Sequence, residues 1–186
     1  MNLYLDHAAT SPLRPEARRA MLPWLDAGNP SSQHAVGRKA RAAIDAVRES
    51  VAVSMGREFA DIVFTSGGTE SVVLGIVGAA LGNAGRKRVL FPANEHHCVL
   101  HTGPLLRRLG FSVETIPVDR HGVAVPQPLG EDVALVSVMH ANNETGVIND
   151  VVAWQERAHE AGAVFHTDAV QTYGRLPVPD ADLVSI

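Results

Sequence analysis

Lysine is almost missing from this sequence. Lys39 and Lys87 are the only lysines among sixteen basic residues, and the rest are arginines. Any reaction that needs a lysine amine within these residues must therefore use one of those two. Cysteine is scarcer still. Cys98 is the only one, so these residues cannot form an internal disulfide. A lone cysteine is typical of a reducing compartment.

The sequence also lacks the features of a membrane protein or a nucleic-acid-binding protein. No apolar run is long enough to span a bilayer, and the first residues lack the basic and apolar regions of a signal peptide. The formal net charge of −4 indicates no polybasic surface for nucleic acid or anionic lipid. With 46% hydrophobic and 19% charged residues, the 186-residue chain is predicted to be a cytoplasmic globular protein with a sizeable core.

The first third of the chain is predicted to be mainly helical. An extended arm turns at Pro12, and residues 15–25 have the apolar spacing of a helix. A loop rich in turn residues follows at 28–32. Residues 36–55 then form a long amphipathic helix, with Gly56 as its expected C-cap.

From about residue 60 short apolar strands alternate with helices. Strands are predicted at 62–65, 88–91, 111–118, 134–139, 163–166 and 183–186. Helices are predicted at 69–81, 99–109 and 151–161. This alternation predicts an α/β fold with a mainly parallel sheet and helices on both faces. Because the sequence stops inside a strand pattern, the chain is expected to be cut short.

One polar cluster follows the apolar start of the strand predicted at 163–166. His166, Asp168 and Gln171 lie near its carboxyl end, where open α/β sheets bind ligands. A carboxylate there is costly unless it is paired with a cation or hydrogen-bonded. The protonated ring nitrogen of pyridoxal phosphate (PLP) is one cation that suits Asp168. The alternative is that Asp168 caps the next turn or helix.

A second cluster, Ser-Gly-Gly-Thr-Glu-Ser at residues 66–71, is predicted to form a tight turn into a helix. Gly67 and Gly68 allow a ligand to approach the backbone closely. The free N–H groups and dipole of the helix favour an anion, so a phosphate cup is predicted. The alternative is an ordinary helix start with Thr69 as its N-cap.

Residues 94–101 form a third cluster and leave three interpretations open. An imidazole after the strand end could stack on a flat cofactor. His97 and His101 are four residues apart, a spacing that zinc ligands use, but zinc needs at least three convergent ligands. Cys98 could be a nucleophile, although a small buried cysteine is the simpler interpretation. No metal site is predicted.

The fourth cluster is the polar run at residues 140–146, which follows an entirely apolar strand. Asn142 or Asn143 could bind a phenolic oxygen of a cofactor. The alternative is an Asn/Gly turn without a ligand.

The four clusters, in this order, resemble the PLP-dependent cysteine desulfurases of the class V aminotransferase fold. Enzymes of this family convert cysteine to alanine and an enzyme-bound persulfide, which supplies iron–sulfur clusters and thiolated tRNA. The resemblance extends along all 186 residues. The matching segments are residues 5–12 (LDHAATSP), 29–32 (NPSS), 64–71 (FTSGGTES), 95–97 (EHH), 139–146 (MHANNETG) and 166–171 (HTDAVQ).

The resemblance implies a role for each candidate site residue. Gly68 and Thr69 would bind the phosphate of PLP, and His96 would stack on its ring and serve in proton transfer. The remaining three residues would act on the ring polar atoms: Asn143 and Gln171 on the phenolic oxygen, and Asp168 on the ring nitrogen. Asn143 would also help to place the substrate carboxylate.

The sequence departs from the family pattern at its end. The family lysine that binds PLP covalently would lie just beyond Ile186, and neither Lys39 nor Lys87 matches its motif. The persulfide cysteine and the small C-terminal domain are also missing from these residues. The resemblance therefore implies that residues 1–186 are an N-terminal arm plus part of the PLP-binding large domain. We therefore expect PLP to be held non-covalently at best, and the 186 residues alone to show no desulfurase activity.

The partners that the resemblance implies are L-cysteine as substrate, and either a homodimer or the C-terminal half of the same enzyme. Two other functions stay open at the level of sequence. One is another class V enzyme, such as a selenocysteine lyase or a small-amino-acid aminotransferase. The other is a non-catalytic module that binds the cofactor or a protein partner.

Overall fold

The computed structural model describes residues 3–83 and 85–186. The chain divides into two compact units, residues 1–64 and residues 65–186, and each is described by itself. Within the described residues, no helix is both long and apolar enough to cross a membrane.

The N-terminal unit is helical, as predicted. It contains α1 (Pro15–Met21), a 3-10 turn (Leu22–Trp24), α2 (Ala35–Met55) and a second 3-10 turn (Phe59–Asp61). The side chain of His34 caps α2 by accepting the Gly37 N–H at 3.3 Å. The helix ends at Gly56, whose φ of 64° is left-handed, so the predicted C-cap is confirmed.

The strand predicted at residues 62–65 is wrong. These residues form no strand, and the Ile62 carbonyl accepts a hydrogen bond from Arg48 Nε at 3.3 Å instead. The Arg48 guanidinium also lies 5.0 Å from the centroid of the Phe64 ring. A short apolar run forms a strand only where a neighbouring strand supplies backbone partners, and here a side chain supplies them.

The second unit is built on a five-stranded parallel sheet, as predicted. The strand order is β2-β1-β3-β4-β5. The strands are β1 (Arg88–Pro92), β2 (Ser112–Ile116), β3 (Val133–Ser137), β4 (Val164–Asp168) and β5 (Leu183–Ser185). All five strand predictions downstream of residue 65 are confirmed to within three residues at each end.

Helices cover both faces of this sheet, which confirms the predicted fold class. On one face are α3 (Gly68–Gly82), α4 (His97–Leu100) and α5 (Thr102–Arg108), and on the other is α6 (Val151–Glu160). The two cores are separate. The first contains Val72, Ile76, Val89, Val99, Leu106 and Leu135, and the second contains Leu90, Val136, Trp154, Ala158 and Phe165.

The single helix predicted at residues 99–109 is wrong, because the structure has α4 and α5 with a break at His101. Pro104 has no N–H, so it cannot bond back to Leu100. The hydroxyl of Thr102 donates instead to the Val99 carbonyl at 2.6 Å. The break sets the direction of α5 independently of α4.

The chain reverses its direction of winding between β1 and β3. From β1 it runs through α4 and α5 to β2 on one side, and β3 pairs with β1 on the other side. Open α/β sheets bind ligands at this topological switch point, outside the carboxyl ends of the strands. The candidate residues after β1, β3 and β4 all lie at this edge.

At the sheet edge, β5 pairs with β4 and with no other described strand. Its residues Leu183 and Val184 are apolar and only partly buried. An unpaired apolar edge is a template for pairing with another chain. We therefore expect the 186-residue chain to associate in solution, with light scattering that rises with concentration. A cooperative thermal transition from a monodisperse monomer would contradict this expectation.

Candidate functional site

Asp168 ends β4 and is 8% exposed. Its Oδ1 accepts the Val170 N–H at 2.9 Å, and its carbonyl accepts the His140 N–H at 2.9 Å. Burial raises the pKa of Asp168, and the Val170 N–H and the electrostatic interaction with His96 only partly oppose this rise. Among the described residues no arginine or lysine balances the charge. The capping interpretation therefore accounts for one hydrogen bond and leaves the buried charge without a cation.

The first turn of α3 lies against the turn that follows β4. A Cβ atom on Gly68 would lie 2.8 Å from Cγ2 of Val170, so a side chain larger than hydrogen would collide there. The first intrahelical bond runs from the Ser71 N–H to the Gly67 carbonyl at 3.0 Å. The N–H groups of the residues between them point out of the helix end, where an anion is favoured.

Thr69 is not the N-cap of α3, because Gly67 occupies that position without a side-chain bond. Thr69 is exposed in the first turn instead. Glu70 folds back, and its Oε2 accepts the Ser66 N–H at 2.5 Å. The hydrogen bonds from Ser66 lower the pKa of Glu70. Because Glu70 already binds the Ser66 N–H, the groups left for the predicted phosphate cup are the N–H groups and the hydroxyl around Gly68 and Thr69.

His96 follows β1 and caps α4 from its exposed position. Its Nδ1 accepts the Cys98 N–H at 3.2 Å and lies 2.9 Å from the Cys98 sulfur. A backbone N–H can only donate, so Nδ1 is the unprotonated nitrogen and the proton of the neutral ring is on Nε2. His96 is close enough to Asp168 for an electrostatic interaction between the two side chains that favours the carboxylate.

The two asparagines after β3 have different environments. Asn142 is buried, donates from Nδ2 to the Asn94 carbonyl at 2.8 Å, and accepts two backbone N–H groups of its own turn on Oδ1. Asn143 is half-buried, and its side chain makes no hydrogen bond within the described part of the chain. Of the two candidates, Asn143 is the one available to a ligand.

The turn after β4 contains Gln171 and Thr172. Gln171 is half-buried, and its carbonyl accepts a hydrogen bond from Arg175 at 2.8 Å. The Thr172 hydroxyl lies 2.9 Å from Nδ1 of His140, which fixes this turn to the segment after β3. Burial lowers the pKa of His140, so its ring is neutral near neutral pH.

Comparison with known proteins identifies the family of this chain. Residues 3–183 match the aminotransferase class-V family. The chain belongs to this family. It is 44% identical to the cysteine desulfurase IscS of Dictyoglomus turgidum over 99% of its own length and 50% of that relative.

Two solved structures resemble this class-V chain along most of its length. A NifS-like protein superposes with a TM-score of 0.90 at 33% identity, covering 95% of this chain and 51% of that one. The structure described as SspA in complex with cysteine gives a TM-score of 0.86 at 31% identity, covering 94% and 52%. The chain spans about half the length of the curated relatives it matches.

The two alternatives at residues 97–101 gain no support in this class-V chain. The rings of His97 and His101 stack with centroids 5.5 Å apart, but the described residues contain no group of three potential metal ligands. Cys98 is buried, and burial raises the pKa of its thiol to about 11. A thiol of this kind is inert as a nucleophile.

The sequence predicts His166 at the carboxyl end of β4. The structure places it inside β4, where it is completely buried. Its Nδ1 lies 2.8 Å from the Ser137 hydroxyl on β3, and its Nε2 lies 3.0 Å from the Ser185 hydroxyl on β5. Ser185 also accepts a hydrogen bond from Ser71 of α3 at 3.0 Å. This relay fixes the first turn of α3 to three strands of the class-V sheet.

Sequence reasoning missed Glu95, which is 4% exposed at the switch point. Its Oε1 accepts the Met139 N–H at 2.6 Å, so its side chain joins the segments after β1 and β3. A sequence signal for Glu95 does exist. It is a charged residue between a buried strand and the partly buried α4, directly before His96, and charged residues are rarely buried.

Proposed function

We propose that this class-V chain supplies the cofactor-binding residues of a PLP-dependent cysteine desulfurase. Asp168 carries the proposal. A buried carboxylate at a strand end, without an arginine or lysine partner among the described residues, matches a ligand that brings its own cation. The protonated ring nitrogen of PLP is such a cation, and the class-V family is PLP-dependent.

The other groups at this edge suit the remaining polar atoms of PLP. The first turn of α3 offers backbone N–H groups to a phosphate, beside the turn that follows Asp168. Asn143 has an amide available for the phenolic oxygen, and Gln171 follows Asp168 in the same turn. An anion site, a carboxylate and an amide form the donor set that this cofactor requires, so the residues fit the group.

When bound, PLP supplies an electron sink that stabilises negative charge on the substrate. In our proposal Asp168 keeps the ring nitrogen protonated, and Gly68 and Thr69 orient the phosphate. His96 covers the ring and moves a proton at Nε2, because Nδ1 is occupied by the Cys98 N–H. Asn143 holds the phenolic oxygen and orients the substrate carboxylate.

The proposed substrate is L-cysteine. The curated relatives are cysteine desulfurases, and the SspA structure is a complex with cysteine. A second copy of the chain, or the rest of such an enzyme, is the proposed partner. Equilibrium dialysis of PLP against the purified chain tests the binding step directly. No retention above that of a heat-unfolded sample would refute it.

We expect the bound PLP to be non-covalent. Lys87 precedes β1 at the amino ends of the strands, opposite the candidate site, and its Nζ lies 5.1 Å from the centroid of the Phe111 ring. Lys39 belongs to α2 in the N-terminal unit, with Nζ 5.7 Å from the Trp24 ring. Borohydride treatment followed by mass spectrometry should therefore leave the mass of the chain unchanged.

The control for this experiment is Lys87→Arg, which keeps the charge over Phe111 and removes the amine. PLP retention should be equal in this variant and in the original chain. A stoichiometric pyridoxyl adduct on Lys39 or Lys87 would show that a lysine of this chain does react with the cofactor, contrary to the expectation.

A further inference from the structure

Glu95 is a buried carboxyl group that the proposed function does not use. It lies at the switch point, where its Oε1 accepts the Met139 N–H at 2.6 Å. A second bond across the same junction runs from Asn142 Nδ2 to the Asn94 carbonyl at 2.8 Å. These two bonds hold the segment that carries His96 against the segment that carries Asn143.

The second oxygen of Glu95 is the unusual feature. Oε2 is buried and has no hydrogen-bond partner among the described residues. An ionised carboxylate needs donors or a cation on both oxygens, because a buried unpaired charge is far more costly than a buried neutral group. The Glu95 site offers one well-formed bond and, within the described part of the chain, no arginine or lysine.

Among the titratable groups that face Glu95, Asp168 also disfavours its ionisation. Asp168 approaches from β4 and the Cys98 thiol from α4. Burial raises the pKa of Glu95 to about 8, and the charge of Asp168 raises it as well. The N–H groups of Met139 and His96 oppose this rise without overcoming it. Two close carboxyl groups in a buried site do not both ionise, and the more buried one keeps the proton.

We propose that Glu95 is a positioning residue that stays protonated in the folded chain, so that it joins β1 to β3 as a neutral group and leaves Asp168 as the single negative charge of the crevice. The role of Asp168 toward PLP rests on the proposed function. The protonation of Glu95 does not, because it follows from contacts within the chain. Its test therefore needs no cofactor.

The test compares the original chain with Glu95→Gln as the pH changes. Glutamine keeps the acceptor for Met139 N–H and has no charge to gain. In the unfolded chain Glu95 ionises near its ordinary value of 4.5, whereas the folded chain keeps the proton to about 8. The stabilisation by the neutral group is therefore complete below pH 4.5 and is lost as the pH rises through 8. Relative to the original chain, Glu95→Gln should melt at a progressively higher temperature from about pH 5 to about pH 8.

The matched control is Glu144→Gln, which removes an exposed carboxylate from the turn after β3. Its melting temperature should follow that of the original chain at every pH. If the difference between Glu95→Gln and the original chain were the same at all pH values, Glu95 would be ionised in the folded state and the proposal would be wrong.

A second measurement follows the ionisation of Glu95 directly in the folded original chain. In the chain labelled with ¹³C at the glutamate carboxyl carbons, the resonance that Glu95→Gln removes should titrate far above the other resonances. Asp168→Asn should move that titration to lower pH, because it removes the neighbouring negative charge. Hydrogen exchange at the Met139 amide should stay slow in Glu95→Gln and become fast in Glu95→Ala. A Glu95 resonance that titrates with the exposed glutamates would overturn the proposal.

Discussion

His166→Leu is expected to lower the free energy of unfolding by roughly 2–5 kcal/mol, because it leaves the buried Ser137 hydroxyl without a partner and removes one of the two hydrogen bonds of Ser185. Leucine fills most of the space of the imidazole but bonds neither Ser137 nor Ser185. Both hydroxyls are fully buried or nearly so, and neither can turn to water. Urea unfolding of the original chain and the variant at about pH 7 measures the difference.

The double variant His166→Leu/Ser137→Ala separates the lost hydrogen bonds from the lost shape. It removes the hydroxyl that His166→Leu leaves without a partner, so it should be more stable than the sum of the two single changes predicts. His121→Leu, at an exposed position, is the control and should change stability little. If the changes in unfolding free energy of the two single variants simply add up in the double variant, the hydrogen bond between His166 and Ser137 does not contribute to stability.

The same histidine should make the chain sensitive to acid. Burial lowers the pKa of His166 to about 4, whereas an unfolded histidine titrates near 6.5. Because the pKa is depressed in the folded chain, the neutral His166 ring stabilises the fold fully above pH 6.5. This stabilisation is lost as the pH falls through 4. The loss amounts to about 3 kcal/mol at most. The stability gap between the original chain and His166→Leu should therefore narrow from about pH 7 to about pH 5. Glu95 is present in both chains, so its opposite pH dependence cancels in this comparison.

The elements that sequence reasoning predicted correctly are those whose signal is local. The strands after residue 65 are short apolar runs, and polar clusters follow β1 and β3. The carboxyl ends of parallel strands always meet at one edge. That rule alone predicts Asp168, His96 and Asn143 at the same edge of the sheet. Gly68, from the second polar cluster of the sequence, packs closely against Val170 in the turn after Asp168. This cluster therefore lies beside the one that contains Asp168.

Apart from the helix break before Pro104, the errors concern residues whose structure depends on distant partners. Residues 62–65 are apolar enough for a strand, but Arg48 occupies the Ile62 carbonyl. His166 was expected at a strand end, although its partners Ser137 and Ser185 lie 29 and 19 residues away in sequence. Glu95 was missed because its burial depends on Met139, 44 residues away. No periodicity within a short window contains such information.

Asp168→Asn is expected to weaken PLP binding roughly 10- to 100-fold while leaving the fold intact. A charge-assisted hydrogen bond to the ring nitrogen contributes about 1.5–3 kcal/mol, and asparagine cannot supply the charge. Asparagine does retain the oxygen that accepts the Val170 N–H. Because burial already disfavours the carboxylate, the variant should melt no lower than the original chain at about pH 7.

The two interpretations of Asp168 therefore give opposite results. If Asp168 only caps the turn after β4, then Asp168→Asn leaves PLP affinity unchanged. If Asp168 balances the charge of the PLP ring nitrogen, Asp168→Asn lowers the affinity for PLP without lowering the stability of the fold. The control is Asp132→Asn, which removes a carboxylate paired with Arg88 at 2.9 Å just before β3, at the amino-end edge of the sheet. Equilibrium dialysis should show normal PLP affinity for Asp132→Asn and reduced affinity for Asp168→Asn, and equal affinities for the two would return Asp168 to a capping role.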